Sequence, residues 1–144
     1  MVNLDIMYYI KSIMKNTIFK LLEYSYYFSL TILFILYLFP GSLIGYFLYG
    51  NLSQQPDLIP NPIGTSINHL ISFILLAFLA FIIRIKEKKF VNSFQFLLII
   101  SISLEIFHHF IPNRAFEYYD LFANCIGVIL TYLIIQLTLK IRTK

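Results

Sequence analysis

Four long apolar stretches joined by short polar connections constrain the fold of this sequence more than any other feature. They cover residues 24–39, 66–83, 91–111 and 120–139. A helix of about 20 apolar residues spans the hydrocarbon core of a bilayer. Only 12% of the residues are charged, about half the share in soluble domains, so lipid must cover much of the surface. The sequence predicts an all-α membrane protein with four transmembrane helices and leaves no room for a soluble catalytic domain.

The first 23 residues differ from the stretches that follow. Lys11, Lys15 and Lys20 are interspersed with apolar residues at helical spacing, which is typical of an amphipathic helix. We expect residues 1–23 to form a cytoplasmic or interfacial amphipathic helix and residues 24–144 to form the membrane domain. A signal peptide shares the basic start and apolar middle, but no small-residue cleavage site follows, so a retained first helix is favoured.

Helix-breaking residues mark the boundaries of the first two spans. Pro40 and Gly41 end the first stretch, because proline lacks a backbone donor and glycine lets the chain bend. Residues 51–64 contain three prolines and are predicted to form an interfacial loop. Thr65 or Ser66 then stands where a hydroxyl can cap the first amides of the second span.

The distribution of basic residues predicts the orientation in the membrane. In a four-span arrangement Arg114 is the sole basic residue on one side, and short loops rich in Lys and Arg stay in the cytoplasm. Both termini are therefore expected to be cytoplasmic and Arg114 to lie outside. The net charge of +4 reflects this topology rather than nucleic-acid binding. The basic residues on the cytoplasmic side are Lys11, Lys15, Lys20, Arg84, Lys86, Lys88, Lys89, Lys140, Arg142 and Lys144.

Polar residues gather at the predicted outer ends of spans two to four. Glu105 lies about 9 Å below the end of span three, where an unpaired carboxylate is costly. We therefore expect Glu105 to face the bundle, to carry a raised pKa, or to meet Arg114 or a histidine. Spacings of three and four residues place Glu105, His108 and His109 on one helical face. The gathered residues are His69, Glu105, His108, His109, Arg114, Asp120 and Asn124.

Span four carries a polar stripe with a glycine in it. Asp120, Asn124, Gly127 and Thr131 recur along one side of the helix, and small residues let neighbouring helices approach closely. Asp120 also stands near the start of the span, where it can cap free amides and interact with the helix dipole. The stripe predicts a face of span four that packs against another helix.

The polar residues at the outer end have the chemistry of a binding or catalytic site. Arg114 offers paired donors to a phosphate or carboxylate, and His69, His108 and Glu105 can exchange protons. No nucleophile signature such as G-x-S-x-G accompanies them, so enzymatic activity stays open. The candidate catalytic residues are Glu105, His69 and His108, and the candidate ligand-binding residues are Arg114, Asp120, Asn124 and His109.

Two other interpretations of these residues stay open. The histidines and acids include enough ligands for zinc, but Arg114 nearby would disfavour a cation, so we expect no metal or other cofactor. Alternatively, Glu105, Arg114, Asp120 and Asn124 form a network that locks spans three and four together and satisfies buried polar groups.

The free thiol of Cys125 lies within an apolar run and has no second cysteine to pair with.

Residues 104–127, LEIFHHFIPNRAFEYYDLFANCIG, resemble the signature of the VanZ-like family of bacterial membrane proteins. That signature reads E-x-x-Q, a proline, an arginine and then D-x-x-x-N-x-x-G. His69 resembles the family's second-span histidine. The sequence departs from the family at His108, which replaces the glutamine, and at Thr65 and Ser66, which replace an Asp-Lys pair.

The resemblance covers about residues 25–140 and implies a multi-pass protein of the bacterial cell membrane, associated with resistance to teicoplanin-type glycopeptide antibiotics. Together with the polar residues, it predicts an outward-facing pocket that acts on or binds a membrane lipid or lipid-linked cell-wall intermediate. The alternative is an accessory or structural membrane protein whose polar residues only hold the helices together.

Overall fold

A computed structural model describes residues 4–56, 59, 62, 64–85 and 90–142 of the 144-residue chain. It describes the side chains of residues 12–56, 59, 62, 64–83 and 93–141. The predicted orientation stays a prediction, and so does the later part of the predicted interfacial loop. Five residues of that loop lie outside the described ranges, namely 57, 58, 60, 61 and 63, as do the basic residues Lys86, Lys88, Lys89 and Lys144.

The described chain consists of helices and connections, with no strand among the described residues. The helices are α1 (Leu4–Leu38), α2 (Leu43–Tyr49), α3 (Ser66–Ile85), α4 (Phe90–Phe107) and α5 (Tyr118–Arg142). All except α2 contain a segment long and apolar enough to cross a bilayer. The all-α, four-helix prediction is confirmed, and the chain is a multi-pass membrane protein. The four segments are Ser12–Leu38, Ser66–Ile83, Ser93–Phe110 and Tyr118–Ile141.

Helix α1 joins the predicted amphipathic segment to the first span without interruption. Its 35 residues contain no proline or glycine, so nothing in the sequence breaks the backbone hydrogen-bond ladder before Pro40. The apolar segment starts at Ser12, inside the predicted amphipathic stretch. The division between interfacial and spanning parts of α1 stays a prediction.

The chain reverses after α1 and builds a small unit, the α2 hairpin, from residues 42–56. Gly41 adopts φ +91°, a left-handed conformation that glycine tolerates best. The Ser42 hydroxyl accepts from the Gly45 amide at 2.9 Å and caps α2. The Ser42 amide donates to the Leu52 carbonyl at 2.7 Å. These contacts fold the segment after α2 back onto the end of α1.

Helix α3 lies at the centre of the bundle and packs against α1, α4 and α5. It meets α5 at Gly127, where an added Cβ would lie only 2.8 Å from the Leu70 carbonyl oxygen. Large apolar side chains on the outer faces, such as Phe28, Ile99 and Ile134, stay exposed, as expected for surfaces that lipid covers. The largest buried apolar side chains are Phe73, Leu76, Phe81, Leu97, Leu104 and Val128.

Alternating helix directions bring four helix ends together. Helices α1 and α4 end, and α3 and α5 begin, at what we call the polar end of the bundle. There α4 gives way to a 3₁₀ turn over His108–Phe110, and Asn113 turns the chain with φ +57°. The polar residues singled out in the sequence lie near this end.

Candidate functional site

Seven polar side chains from four helix ends meet inside the polar end of the bundle. We call this set the polar cluster. Glu105 and Asn124 have no exposed surface, and the others are also buried. Burial of so many polar groups in a membrane protein is costly unless they satisfy one another. The members are Tyr37, Ser66, His69, Glu105, His108, Asp120 and Asn124.

Asp120 and His69 join α5 to α3. The Asp120 carboxylate lies 3.2 Å from His69 Nε2, and its other oxygen accepts from the Ser66 hydroxyl at 2.5 Å. Ser66 is the first residue of α3 and Asp120 the third of α5, so the contacts tie the starts of both helices together. The carboxylate lies between serine and histidine, whereas in a hydrolase triad the histidine lies between the other two.

Glu105 and His108 join α4 to the connection before α5. Glu105 Oε1 lies 3.3 Å from His108 Nδ1 and accepts from the Glu117 amide at 3.1 Å. His108 Nε2 lies 3.1 Å from the Tyr37 carbonyl oxygen and must carry hydrogen there, because a carbonyl only accepts. The expectation that Glu105 faces the bundle and meets a histidine is confirmed.

The Tyr37 hydroxyl connects the α1 end to both neighbouring helices. It donates to Asn124 Oδ1 at 2.9 Å and lies 2.8 Å from His69 Nδ1. Since its single hydrogen is used on Asn124, the hydroxyl accepts from His69 Nδ1–H. The Tyr37 ring also stacks on His108, with centroids 5.5 Å apart. Tyr37 therefore links the end of α1 to α3 and α5 by hydrogen bonds.

The hydrogen bonds of His108 indicate one shared proton in its contact with Glu105. His108 Nε2 carries hydrogen toward the Tyr37 carbonyl, so a neutral ring would turn a bare nitrogen toward the Glu105 carboxylate. An ionised carboxylate has no hydrogen to offer either, so this contact requires a proton on the imidazole or on the acid, and the pair is neutral overall in this geometry. At His69 the Nε2 atom accepts from the Gln55 amide, while Nδ1 carries the hydrogen donated to Tyr37.

Two buried polar atoms of the cluster have no hydrogen-bond partner. They are Glu105 Oε2 and Asn124 Nδ2. Glu105 Oε2 lies 4.0 Å from His69 Nδ1, beyond hydrogen-bond distance but directed toward the centre of the cluster. An unsatisfied buried polar atom costs about 1–3 kcal/mol, and more when it is charged. The cluster is thus not fully satisfied by its own side chains.

Arg114 binds the end of α1 and not the carboxylates. Its Nη2 donates to the Leu36 carbonyl at 2.6 Å and its Nε to the Phe39 carbonyl at 3.4 Å. A cation at the C-terminal end of a helix is favoured by the helix dipole. Burial lowers the pKa of the Arg114 guanidinium from its ordinary value, while the nearby Tyr37, Glu105 and Asp120 oppose that shift. Burial also raises the pKa of Glu117, and Asp120 and Glu105 add to that rise.

A cavity of about 220 Å³ opens between α1, α3 and the α2 hairpin. Two members of the polar cluster, Tyr37 and His69, line this cavity. Arg114 also lines it and is permanently charged. The Gln55 amide nitrogen lies 3.3 Å from His69 Nε2 at the cavity wall. The described lining consists of Leu36, Tyr37, Ser42, Leu43, Ile44, Gln55, Pro56, Ile59, Asn68, His69, Ile71, Ser72 and Arg114.

A comparison with known protein families places the sequence in one of them. The sequence model of the VanZ/LLP1 family matches residues 2–139. The chain belongs to the VanZ/LLP1 family. The resemblance seen in the sequence is thereby confirmed, and the match extends over α1 and most of α5. No curated protein and no solved structure shows significant similarity to the chain.

In this VanZ/LLP1 protein the structure brings together five of the seven predicted site residues. The five are His69, Glu105, His108, Asp120 and Asn124. Arg114 lies beside them on the cavity wall. His109 is exposed and contacts the Phe110 ring, so the structure does not place it on the face that Glu105 and His108 share. The helix tightens into a 3₁₀ turn at His108, and the face extrapolated from α-helical spacing ends there.

Sequence reasoning did not predict Tyr37, Ser66 or Gln55 as site residues of the VanZ/LLP1 chain. Tyr37 is one of 11 tyrosines, and no motif marks it. Thr65 or Ser66 was expected to cap α3; the Ser66 hydroxyl donates to Asp120. A tyrosine one turn before the Pro40 break was the available signal, since that position falls at the same depth as the other polar residues.

We expect Tyr37→Phe to lower stability by about 1–3 kcal/mol, because His69 Nδ1 and Asn124 Oδ1 lose a buried partner. The ring stays, so packing against His108 should persist. The measurement is the free energy of unfolding in detergent. Tyr46→Phe is a matched control, since Tyr46 is exposed and should change little. Equal stability of the Tyr37 variant and wild type would show that the hydroxyl does not hold the helices together.

Proposed function

We propose that the protein binds the anionic head group of a membrane lipid or lipid-linked cell-wall intermediate in the cavity beside Arg114. Through this binding it contributes to resistance against teicoplanin-type glycopeptides that carry a lipid. The observation that carries the proposal is that the polar cavity adjoins an apolar groove between α1 and α3. A site with a polar part and an apolar part side by side fits an amphiphile.

Arg114 supplies the electrostatic part of the proposed site. A guanidinium has five N–H donors in a rigid fork, so it can bind phosphate while keeping its bonds to Leu36 and Phe39. The His108–Glu105 pair is neutral in this geometry, and hence does not cancel the charge of Arg114. A space of about 220 Å³ is several times the roughly 30 Å³ that one water occupies, which is room for a phosphate-sized group.

The apolar groove supplies the lipid part. It also has a volume of about 220 Å³ and shares Leu36, Tyr37 and Ser72 with the polar cavity. Along α1 its lining runs from Tyr37 back to Phe28, a distance of about 13 Å at the rise of an α-helix. A lipid chain in this groove would extend from the polar end toward the middle of the bilayer.

The geometry favours binding over acyl transfer. Ser66 is a serine in contact with the His69–Asp120 pair, yet its hydroxyl donates to Asp120 and not to His69. It therefore lacks the imidazole base that activates a serine nucleophile. Glu105, His69 and His108 stay candidate proton-transfer residues, and product formation from a bound lipid would assign them that role.

Arg114→Ala and Ser72→Phe should both abolish the resistance phenotype in a bacterium that expresses the protein. The first removes the cation and the second fills the junction of cavity and groove. Lipid retained by the purified proteins, measured by native mass spectrometry, should fall at least tenfold. The melting temperature of Ser72→Phe should stay near that of wild type. Arg114→Lys should retain part of the binding, since it keeps the charge and loses the fork.

Gln136→Ala is a control far from the cavity, because Gln136 is exposed and its amide donates to the Tyr132 hydroxyl within α5. Resistance and lipid retention in both Arg114→Ala and Ser72→Phe, with folded protein, would contradict the proposal.

The second candidate function is a structural role, and the contacts of Tyr37 support it. This residue ties α1 to α3 and α5 through one hydroxyl. If locking helices were the cluster's whole role, loss of resistance would follow loss of folded protein across all variants. A folded Ser72→Phe protein without resistance separates the two candidates.

A further inference from the structure

We propose that His69, Glu105 and Asp120 bind a zinc ion. One nitrogen of His69 and one carboxylate oxygen from each acid lie within 4.8 Å of one another. Zinc holds imidazole nitrogen and carboxylate oxygen at about 2.0–2.2 Å, so ligands of one ion stand about 3–4 Å apart. Small side-chain rotations would bring the three atoms to that spacing. The three residues come from α3, α4 and α5, and therefore the ion would sit between helices.

The unpartnered carboxylate oxygen is the independent sign of a missing ligand. Glu105 has no exposed surface, and its Oε2 has no hydrogen-bond partner. This oxygen faces His69, whose Nδ1 is 4.0 Å away. The other carboxylate oxygens of Glu105 and Asp120 each contact at least one of four groups, the Ser66 hydroxyl, the Glu117 amide and the rings of His69 and His108, whereas no donor contacts Glu105 Oε2. A cation bound by this oxygen, the Asp120 carboxylate and His69 Nε2 would satisfy it, since Nδ1 carries the hydrogen donated to Tyr37.

Arg114, whose charge was expected to disfavour a metal ion, lies beside the polar cluster and not within it. Arg114 donates to the Leu36 and Phe39 carbonyls, and its described ion pairs do not include Glu105 or Asp120. The Asp120 and Glu105 carboxylates, when ionised, supply two negative charges against one divalent cation, and the proton of the His108–Glu105 contact then lies on His108. Arg114 lies near the cluster, as the sequence predicted, but its donors bind backbone carbonyls and leave the carboxylate oxygens free of its guanidinium.

The ligand types select the class of metal. One imidazole and two carboxylates suit zinc better than magnesium, which prefers an all-oxygen shell with several waters. Three protein ligands leave a further position on the ion, as in zinc sites that bind water or substrate. His69 lines the cavity, so that position can be reached from the space beside Arg114. The proposal concerns the ion alone and holds whether or not a lipid binds in the cavity.

The test is the zinc content of the full-length protein in detergent, loaded with zinc sulfate and then dialysed against metal-free buffer. Wild type should retain about one zinc per chain by elemental mass spectrometry. His69→Ala and Glu105→Gln should retain less than a tenth of that. His109→Ala is the matched control, because this histidine is exposed outside the cluster, and it should retain zinc as wild type does.

Cobalt loading gives a readout of coordination that does not depend on stability. Wild type and His109→Ala should show visible absorption bands of bound Co²⁺, and these bands should be absent in Glu105→Gln. That variant keeps the shape and one acceptor oxygen of the side chain, so circular dichroism should confirm that it folds. Folded wild type without zinc would overturn the proposal, as would zinc loss in His109→Ala or zinc retention in both cluster variants.

Discussion

Replacing Gly127 with leucine is expected to separate α3 from α5 and to give the largest loss of stability of any single change in the bundle. A Cβ at this position would lie 2.8 Å from the Leu70 carbonyl oxygen and 3.1 Å from Phe73 Cβ. Neither backbone nor a buried Cβ can move without shifting the helix. Overpacking in a core typically costs about 1–3 kcal/mol and sometimes more. Leucine adds three further carbons, so we expect the upper end of that range.

The same change should also disrupt the polar cluster, because Asp120 and Asn124 lie on α5 on the same face as Gly127. The measurement is the fraction of monodisperse protein and its melting temperature in detergent. Gly127→Ala should lower the melting temperature less than Gly127→Leu does, so the two variants form a graded series. Ile126→Leu is the control on the lipid-facing side, where the side chain is 45% exposed. Wild-type stability in Gly127→Leu would show that the helices do not approach this closely.

Replacing Gly45 with valine is expected to move the α2 hairpin away from the cavity and to remove ligand binding. An added Cβ would come within 1.7 Å of the Gln54 carbonyl oxygen, which is far inside contact distance. The hairpin must therefore open. Gln55 and Pro56, which line the cavity, would move with it. The spanning helices α3, α4 and α5 make their contacts elsewhere and should stay packed.

Lipid retention and resistance should fall to background in Gly45→Val, while the melting temperature drops less than in Gly127→Leu. Leu48→Val is a control on the same short helix, since Leu48 is exposed. Full binding by Gly45→Val would show that the α2 hairpin is not part of the site.

The polar stripe of the fourth span shows where local sequence patterns suffice. Asp120, Asn124, Gly127 and Thr131 are all buried, as their helical spacing predicts. The spacing holds because α5 is a regular helix from Tyr118 onward. His108 and His109 show the opposite case. They are adjacent in sequence, but the chain changes from α to 3₁₀ geometry at His108, so one is buried and the other exposed.

Arg114 illustrates a partner that spacing cannot identify. The sequence placed it beside acidic residues, and pairing with Glu105 was one expectation. In the structure it binds backbone carbonyls of α1, more than 70 residues away in the chain. Every helix end offers unpaired carbonyls, and no side-chain pattern marks which end will lie within reach.

The sequence by itself determined the number of spans, the breaks at which they end, and the gathering of polar residues near one end of the bundle. These follow from local properties, namely apolar length, proline and glycine breaks, and the constant rise of a helix. The tertiary structure alone decided which polar atoms meet. The partners of Tyr37, the His108–Glu105 contact and the unpartnered Glu105 oxygen depend on rotation and close approach of separate helices, which long-range packing sets.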